Sequence, residues 1–446
     1  MAGDRFRNQE YYINRDLSLL AFQSRVLEEA RRSRNPLLER VKFLSILDSN
    51  LEEFFMVRVA GRRQQLSAGV IDTGPDGIPP HALMARIRDE VLRLRECAES
   101  CLRDELLPAI ENAGIRICRY GDTEPARREK IERYFHNFVY PALTPLALDP
   151  ARPFPYLANQ SLNLAVLLHD DTGAERFGWL KVPDTIPQLL ELDHAESLNG
   201  ATSPRLVWLE DVIAEHLDAL FPGMHVIESH CFHITRDAET SMQEWDAADL
   251  IRKIEESVRL RKLGNVVKLT AANSMPDRIL DLLVDKFDLD HSSVYRSALP
   301  LAPRRLTALS SLDRPDLKAP RWKARIPHGL HKSGKGDLFE QIRRHDILLH
   351  HPYETFEPVV RFLEQAAEDS HVIAIKSTLY RVGQNSPIVK ALLRAADKGK
   401  QVAAVVELRA RFDEESNIEW ARALERKGVN VVHGLVDLKV HAKAAL

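Results

Sequence analysis

The sequence lacks an apolar run long enough to cross a membrane, and its first residues lack the apolar core of a secretory signal peptide. Cysteine is scarce: the four residues match neither a metal-site spacing nor a disulfide framework, and they are Cys97, Cys101, Cys118 and Cys231. Neither sign of charge is in excess, because 62 lysines and arginines face 65 aspartates and glutamates. These absences predict a soluble protein of a reducing compartment, without a whole-chain attraction to nucleic acid or anionic membranes.

Hydrophobic residues recur every three or four positions through the first part of the chain. At 446 residues the chain is too long for a single core, so about two to four domains are expected. One apolar stripe has helical spacing and comprises Leu37, Val41, Leu44, Leu47, Leu51, Phe54 and Val57. Together with helices expected at about 16–33 and 81–110, this stripe predicts an all-α N-terminal domain over residues 1–110.

After Gly114 the pattern changes to mixed strands and helices. Short strands are expected at 115–117, 162–168 and 205–209, and helices at about 125–139 and 246–260. This mixture predicts an α+β middle domain over residues 111–317.

From Asp346 onward, strands and helices alternate with short connections. The predicted strands are 347–350, 372–376, 402–407, 429–432 and 438–446, and the predicted helices are about 354–368, 386–398 and 415–427. Such alternation predicts a parallel α/β sheet, whose functional groups gather beyond the carboxyl ends of the strands. We assign residues 318–446 to this third domain.

The last predicted strand carries a histidine and a lysine two positions apart, His441 and Lys443. Because side chains alternate along a strand, both are expected on one face, with Val440 and Ala442 on the other. A neutral imidazole is a nucleophile near pH 7, and a fixed cation offsets the charge of the phosphoryl group that it attacks. The alternative is an ordinary solvated pair at a strand edge.

Two arginines, Arg381 and Arg411, follow the neighbouring predicted strands. The carboxyl ends of parallel strands share one edge, so both arginines are expected near His441, where guanidinium groups suit phosphate oxygens. We therefore predict a phosphoryl-transfer site. The alternative is that the arginines form structural ion pairs with acidic neighbours, namely Glu407, Asp413 or Glu414.

Several stretches of the chain carry a family resemblance in collinear order. The most specific are VVELRARFDEESNI at 405–418 and LKVHAK at 438–443. The others are YINRDLS at 12–18, RVLEEA at 25–30, NLEEF at 50–54, YPALTPL at 140–146, ILLHHPY at 347–353 and IKSTLYR at 375–381. Together they closely resemble the ATP:polyphosphate phosphotransferases, the first type of polyphosphate kinase, from about residue 11 to the end.

The resemblance implies a reaction and roles for particular residues. The reaction is reversible transfer of the γ-phosphate of ATP to inorganic polyphosphate through a phosphohistidine, with His441 as the nucleophile and Lys443 beside it. The family's two arginines at the magnesium site fall on Arg381 and Arg411; since arginine has no lone pair to give a metal, we interpret both as clamps for phosphate oxygens beside Mg²⁺. The family's ATP-contacting asparagine falls on Asn50.

The resemblance also implies an architecture and a setting. It implies a helical N-terminal domain, an α+β middle domain and an incomplete phospholipase-D-like α/β domain, as in a C-terminally truncated member whose missing part would supply a second histidine. Its partners would be ATP, ADP and polyphosphate, with Mg²⁺ and without nucleic acid. A cytoplasmic homo-oligomer is expected, at most peripheral to the membrane. Asp437 departs from the family pattern, which has glycine there.

Two other functions remain open from the sequence. A phospholipase-D-type phosphodiesterase also uses a histidine and a lysine two apart on such a strand, although the N-terminal stretches match the kinase family. A non-catalytic fragment that binds nucleotide or dimerises is the other alternative.

Overall fold

The chain divides into two compact units, each with its own hydrophobic core. The structure is a computed structural model and describes residues 8–70, 73–147, 156–196, 202–238, 251–252, 254–255, 264–327, 330, 338–383, 385–411, 413–434 and 438–446. The first unit is Met1–Glu239 with Arg261–Pro320. The second unit is Thr240–Leu260 with Arg321–Leu446. In the described residues no helix is long and apolar enough to span a membrane.

The first unit begins with helices that pack against one another. They are α1 (Arg15–Arg31), α2 (Leu37–Phe54), α3 (Ala60–Ser67), α4 (Pro80–Ser100) and α5 (Leu107–Asn112). Short π-helical turns continue α2 into α3 and α4 into α5. The side chain of Asn14 caps α1 by accepting hydrogen bonds from the backbone N–H groups of Asp16 and Leu17. The predicted helical N-terminal region is confirmed.

A region of mixed sheets follows in the same unit. Its helices are α6 (Pro125–Tyr134), α7 (Leu209–Glu215), α8 (Leu217–Leu220) and α9 (Asp277–Lys286). Its strands are β1 (Arg116–Cys118), β2 (Leu146–Ala147), β3 (Leu162–Asp170), β4 (Glu175–Lys181), β5 (Leu189–Glu196), β6 (Thr202–Trp208), β7 (Met224–Arg236), β8 (Val266–Ala272) and β9 (Val294–Ser297). The sheet orders are β2-β4-β3-β7-β8-β9 and β1-β6-β5, and both sheets contain parallel and antiparallel neighbours.

The N-terminal helices and the mixed sheets share one hydrophobic core. Leu44 of α2 and Leu94 of α4 belong to the same buried cluster as Trp208 of β6, Tyr295 of β9 and Leu306. Helix α2 therefore has its apolar stripe covered by strands as well as by helices. The structure thus gathers the predicted domains 1–110 and 111–317 into one compact unit.

A buried ionic cluster joins α2 to the longer sheet. Glu52 of α2 forms an ion pair with Lys268 of β8, and both side chains are only 3% exposed. Thr235 of β7 donates a hydrogen bond to Glu52 at 2.6 Å, and the ammonium of Lys268 lies 4.8 Å from the centre of the Phe55 ring. Burial alone would raise the pKa of Glu52, but the charge of Lys268, then that of His233, bring it down to about 2.

Removal of one member of this pair is expected to destabilise the first unit. In Glu52→Gln the ammonium of Lys268 would stay buried without its counter-charge, which costs about 3–5 kcal/mol. The double variant Glu52→Leu/Lys268→Met should recover most of that loss, because it removes both charges. Urea denaturation gives the free energies. The exposed pair of Glu175 and Arg278 supplies the control, since Glu175→Gln should cost less than about 1 kcal/mol.

His233 of β7 lies beside the same cluster, and burial is the largest cause of a pKa near 3 rather than the ordinary 6.5. Lys268 and Arg304 lower this pKa further, whereas Glu52 opposes the shift. The unfolded chain therefore binds a proton between pH 6.5 and 3 that the folded chain does not bind. The contribution of His233 to the free energy of unfolding is therefore complete above pH 6.5 and is lost as the pH falls towards 3.

The pH dependence of unfolding should therefore identify His233. We expect this chain to lose about 1.4 kcal/mol more stability per pH unit than His233→Gln below pH 6.5, in denaturation series at several pH values. Taking the difference between the two proteins cancels the carboxylates that titrate in the same range. His225→Gln, at an exposed position of the same strand, should follow the parent slope. Equal slopes for all three proteins would contradict the assignment.

The second unit is built on a parallel sheet. Its helices are α10 (Leu338–Arg344), α11 (Glu357–Glu368), α12 (Pro387–Asp397) and α13 (Glu414–Arg426), and its strands are β10 (Ala374–Leu379), β11 (Gln401–Val406) and β12 (Asn430–His433). The strands lie in the order β10-β11-β12, all parallel. The predicted α/β arrangement of this region is present.

The segment between the two parts of the first unit belongs to the second unit. Ile254 is buried in the second core with residues of α11 and α13, and Glu255 pairs with Arg422 of α13 at 2.9 Å. The predicted helix at 246–260 is described only at 251–252 and 254–255, which are helical. The linear range 111–317 placed this segment in the middle domain, so the structure differs from that prediction.

Two predicted strands are wrong. Residues 347–350 form no ladder, because Leu348 is 92% exposed and the chain turns back through a hydrogen bond from the N–H of Glu354 to the carbonyl of His350. Residues 438–446 form no parallel strand of the sheet. They run antiparallel along the free edge of β10, where Lys376 and Leu446 exchange backbone hydrogen bonds of 2.7 and 2.8 Å.

Candidate functional site

The carboxyl ends of β10 and β11 lie side by side and place two loops at one edge of the sheet. Leu379 at the end of β10 pairs in register with Val406 at the end of β11. The chain therefore leaves both strands at the same level, with Tyr380 and Arg381 after β10 and the run from Glu407 to Arg411 after β11. Parallel pairing brings these loops together, as the sequence predicts.

The ring of Tyr380 is the centre of a cluster of cations. The ammonium of Lys443 lies 4.4 Å from the ring centre, that of Lys439 lies at 6.0 Å, and the guanidinium carbon of Arg381 lies at 5.8 Å. Cations within about 6 Å of an aromatic face are attracted by its quadrupole. The imidazole of His441 meets the same ring edge-on, with ring centres 4.8 Å apart and planes at 89°.

His441 is exposed, and neither of its ring nitrogens has a hydrogen-bond partner among the residues that the structure describes. Lys443 donates a hydrogen bond of 2.6 Å to the backbone carbonyl of His441 and is exposed as well. The predicted neighbours therefore lie together, although they occupy an extended edge segment rather than a strand of the parallel sheet. Their assigned roles stay predictions.

Arg381 is held by the loop that follows β11. It forms an ion pair of 2.8 Å with Asp413 and donates a hydrogen bond of 2.9 Å to the carbonyl of Arg411. Arg381 therefore forms one of the ion pairs with acidic neighbours that the sequence analysis gave as the alternative. Its side chain nevertheless remains 55% exposed. Arg411 meets Arg381 through its backbone, and its own side chain is half-buried.

Two buried polar residues hold this edge together; the sequence suggested Glu407 only as a partner of the arginines and did not indicate Asn417. Glu407 is 2% exposed and accepts hydrogen bonds from the N–H groups of Val440 at 2.7 Å and Arg409 at 2.9 Å. Asn417 is 1% exposed and donates to the carbonyls of Tyr380 and Glu407 at 2.7 and 2.9 Å. The available signal for Glu407 was its position directly after the apolar strand β11.

Other predicted features lie elsewhere in the chain. Asn50 is on α2 in the first unit, half-buried, and donates a hydrogen bond of 2.9 Å to Gln23 of α1. Its predicted contact with ATP stays a prediction. Asp437 lies outside the described residues.

The donor set at this edge of the sheet does not make a protein cage for a metal ion. In the described part of the chain no group of three or more histidine, cysteine, aspartate or glutamate side chains could hold one. Asp413 is paired with Arg381, and both carboxylate oxygens of Glu407 accept backbone N–H groups. Exposed cations around an accessible imidazole suit anionic oxygens, so the site is typical of proteins that handle phosphate groups.

Comparison with known proteins identifies the family. Three family models match successive parts of the chain: the polyphosphate kinase N-terminal domain over 12–118, the middle domain over 126–309 and C-terminal domain 1 over 337–446. The chain belongs to the polyphosphate kinase family.

Individual relatives agree over nearly the whole chain. Polyphosphate kinase 1 of Chlorobaculum tepidum is 45% identical over 439 residues, which cover 98% of this chain and 62% of that protein. The polyphosphate kinase of Mycobacterium tuberculosis is 42% identical, covering 98% of this chain and 60% of that protein. The crystal structure of the polyphosphate kinase from Porphyromonas gingivalis has a TM-score of 0.79 at 33% identity, covering 97% of this chain and 61% of that one. The chain thus spans about three fifths of the length of these relatives.

The two hydrogen bonds of Asn417 predict a measurable effect on stability. Asn417→Ala leaves the carbonyls of Tyr380 and Glu407 without their side-chain donor, which should destabilise the second unit by about 2–3 kcal/mol. Thermal or urea denaturation of this chain measures the change. Asn430→Ala, at an exposed position of β12, is the matched control and should change stability by less than about 0.5 kcal/mol. Equal midpoints for the two variants would contradict the proposed role of Asn417.

Proposed function

We propose that the chain carries the phosphate-accepting part of a polyphosphate kinase. In this proposal the full-length protein transfers the γ-phosphate of ATP reversibly to inorganic polyphosphate, and His441 is the nucleophile that holds the phosphoryl group between the two steps. The observation that carries the proposal is the exposed imidazole of His441 among the cations that surround Tyr380.

The first half-reaction needs a nitrogen lone pair and an accessible path. The ring of His441 has no hydrogen-bond partner in the described residues, so its nitrogens are open to a ligand. One nitrogen would attack the γ-phosphorus of ATP in line, forming a P–N bond while the bond from that phosphorus to the bridging oxygen breaks. The electron pair leaves with ADP, and a phosphohistidine remains.

The second half-reaction reverses these roles with a different acceptor. A terminal oxygen of polyphosphate would attack the phosphohistidine, so that a P–O bond forms, the P–N bond breaks and the free imidazole returns. The relay divides one transfer between two polyanions into two steps, and the two polyanions need not occupy the site together. The same steps run backwards when ADP is abundant.

The cations would stabilise the charge that phosphoryl transfer develops. Arg381 and Lys443 lie at the ring that contacts His441, and electrostatic stabilisation of equatorial oxygens is the main requirement of this chemistry. We propose Arg381 and Arg411 as phosphate-oxygen clamps. Mg²⁺ would enter with ATP as part of the substrate, because the donors described here do not form a protein cage for it.

Some parts of the proposal rest on the family resemblance alone. These are the ATP contact of Asn50, a phospholipase-D-like fold for residues 318–446, and assembly into homo-oligomers. We also propose a cytoplasmic location, with at most peripheral association with the membrane.

Phosphorylation from γ-labelled ATP with Mg²⁺ tests the proposal. We expect acid-labile, base-stable label on His441 of the full-length protein and none in His441→Ala, because that change removes the attacking nitrogen. His345→Ala is the matched control: His345 is an exposed histidine of the same unit, and its loss should leave the label intact. The same assay on this 446-residue chain shows whether its residues suffice for the first half-reaction.

The outcomes separate the alternatives. Label that survives in His441→Ala would remove His441 from the nucleophilic role. Absence of label from the unsubstituted full-length protein would favour the phosphodiesterase or the non-catalytic nucleotide-binding protein instead.

A further inference from the structure

The segment that carries His441 is bound to the edge of the parallel sheet by backbone hydrogen bonds to β10 and by two side chains, one on each side of the histidine. We infer that Glu407 and Thr378 are positioning residues, which fix the register of residues 438–446 on the free edge of β10 and thereby present the imidazole of His441. This inference rests on the proposed function for its chemical consequence, whereas the contacts themselves belong to the structure.

Glu407 fixes the segment immediately before the histidine. Its buried carboxylate accepts the N–H of Val440 with one oxygen and the N–H of Arg409 with the other, at 2.7 and 2.9 Å. A carboxylate accepts hydrogen bonds at both oxygens, so it satisfies two backbone donors at once. Hydrogen bonds to an ionised acceptor are among the strong ones, particularly in a buried position. Val440 is therefore tied to the loop that follows β11.

Thr378 fixes the segment immediately after the histidine. Its hydroxyl donates a hydrogen bond of 2.5 Å to the carbonyl of Ala442 and accepts one of 2.9 Å from the N–H of Ala444. The backbone N–H of Thr378 also donates to the carbonyl of Ala444 at 3.0 Å. One hydroxyl thus uses its donor and acceptor capacity on the two sides of Lys443.

The two contacts together determine which way His441 points. Val440 and Ala442 are its chain neighbours, and each is bound to a different strand end of the same sheet. A slip of one residue along β10 would turn every side chain of the segment to the opposite face. With both contacts in place, the imidazole faces the ring of Tyr380 at 4.8 Å, among the cations.

Hydrogen exchange on this 446-residue chain tests the positioning directly. In Thr378→Val, which removes the hydroxyl and preserves the shape, peptides that cover 438–446 should exchange at least about tenfold faster, since each lost bond weakens the attachment. Peptides from β11 should keep their protection. Thr378→Ser retains the hydroxyl and should restore the parent rate.

Glu407→Gln tests the second contact. Glutamine has one carbonyl oxygen, and its amide nitrogen would face one of the two backbone N–H donors, so Val440 or Arg409 loses its acceptor. Faster exchange at 438–446 is expected again. Glu419→Gln is the control, because Glu419 is an exposed glutamate of α13 in the same unit.

Phosphorylation kinetics on the full-length protein test the chemical consequence. A misplaced nucleophile lowers the rate of transfer rather than the binding of substrate. We therefore expect Thr378→Val and Glu407→Gln to form phosphohistidine about ten- to a hundredfold more slowly, with a KM for ATP within about threefold of the parent value. Thr378→Ser and Glu419→Gln should behave as the parent does.

The results distinguish failure of the inference from failure of the proposed function. If the parent full-length protein forms phosphohistidine and Thr378→Val forms it equally fast, the positioning role is wrong. Unchanged exchange at 438–446 in Thr378→Val would likewise overturn it, even if Glu407→Gln fails to fold. If the parent protein forms no phosphohistidine, the proposed function fails, and the exchange data alone decide whether the two contacts hold the segment.

Discussion

The buried carboxylate of Glu407 is the constraint on which the edge of the second unit depends. A charged group taken out of water is tolerated only when hydrogen bonds replace its hydration, and here both oxygens are satisfied by backbone N–H groups. One donor belongs to its own loop, and the other, Val440, belongs to the segment beside β10. The backbone carbonyl of Glu407 accepts a hydrogen bond from the side chain of Asn417. Sheet, loop and edge segment thus meet at one residue.

The first unit uses a carboxylate in a related way. Glu52 links α2 to β7 and β8, because Thr235 and Lys268 both bind it inside the protein. The apolar stripe of α2 packs in the shared hydrophobic core, but hydrophobic burial is non-directional, whereas hydrogen bonds require a particular geometry. The two units therefore each contain a polar contact that fixes how secondary-structure elements meet. His233 shows the cost of such a site, since burial keeps its ring neutral and makes stability depend on pH.

The periodicity of hydrophobic residues along the chain predicted the type and order of the main helices and strands. The helical spacing from Leu37 to Phe54 gave α2, and the alternation after Asp346 gave β10, β11 and β12 in parallel order. The period of two over 438–446 predicted a strand of the parallel sheet, and the structure has an antiparallel edge segment there instead. The period could not show that the segment runs antiparallel at the edge of β10, because alternation is the same for both directions. The predicted strand at 347–350 was wrong for a different reason. Its apolar residues indicated burial, yet Leu348 is exposed.

The candidate site was predictable in its chemistry but not in its assembly. Two arginines, a histidine and a lysine could be named because their types suit phosphate and because parallel strands end at one edge. Tyr380 as their common platform, and Thr378 as the residue that binds both sides of Lys443, depend on tertiary contacts between positions far apart in the chain. The ion pair of Arg381 with Asp413 was left open for the same reason.

The composition of the chain explains why such a platform is useful. With a net charge of −3 the chain as a whole does not attract polyanions, so cations must be concentrated locally. Cations placed close together repel one another. A carboxylate partner for each cation would reduce this repulsion, but it would also cancel the attraction of that cation for phosphate. An aromatic ring avoids both difficulties for the two lysines, since its face attracts Lys443 and Lys439 without neutralising them, whereas Arg381 also has Asp413 as an ion-pair partner. The cations stay gathered yet available, and His441 stands against the same ring, where an incoming phosphate would meet them together.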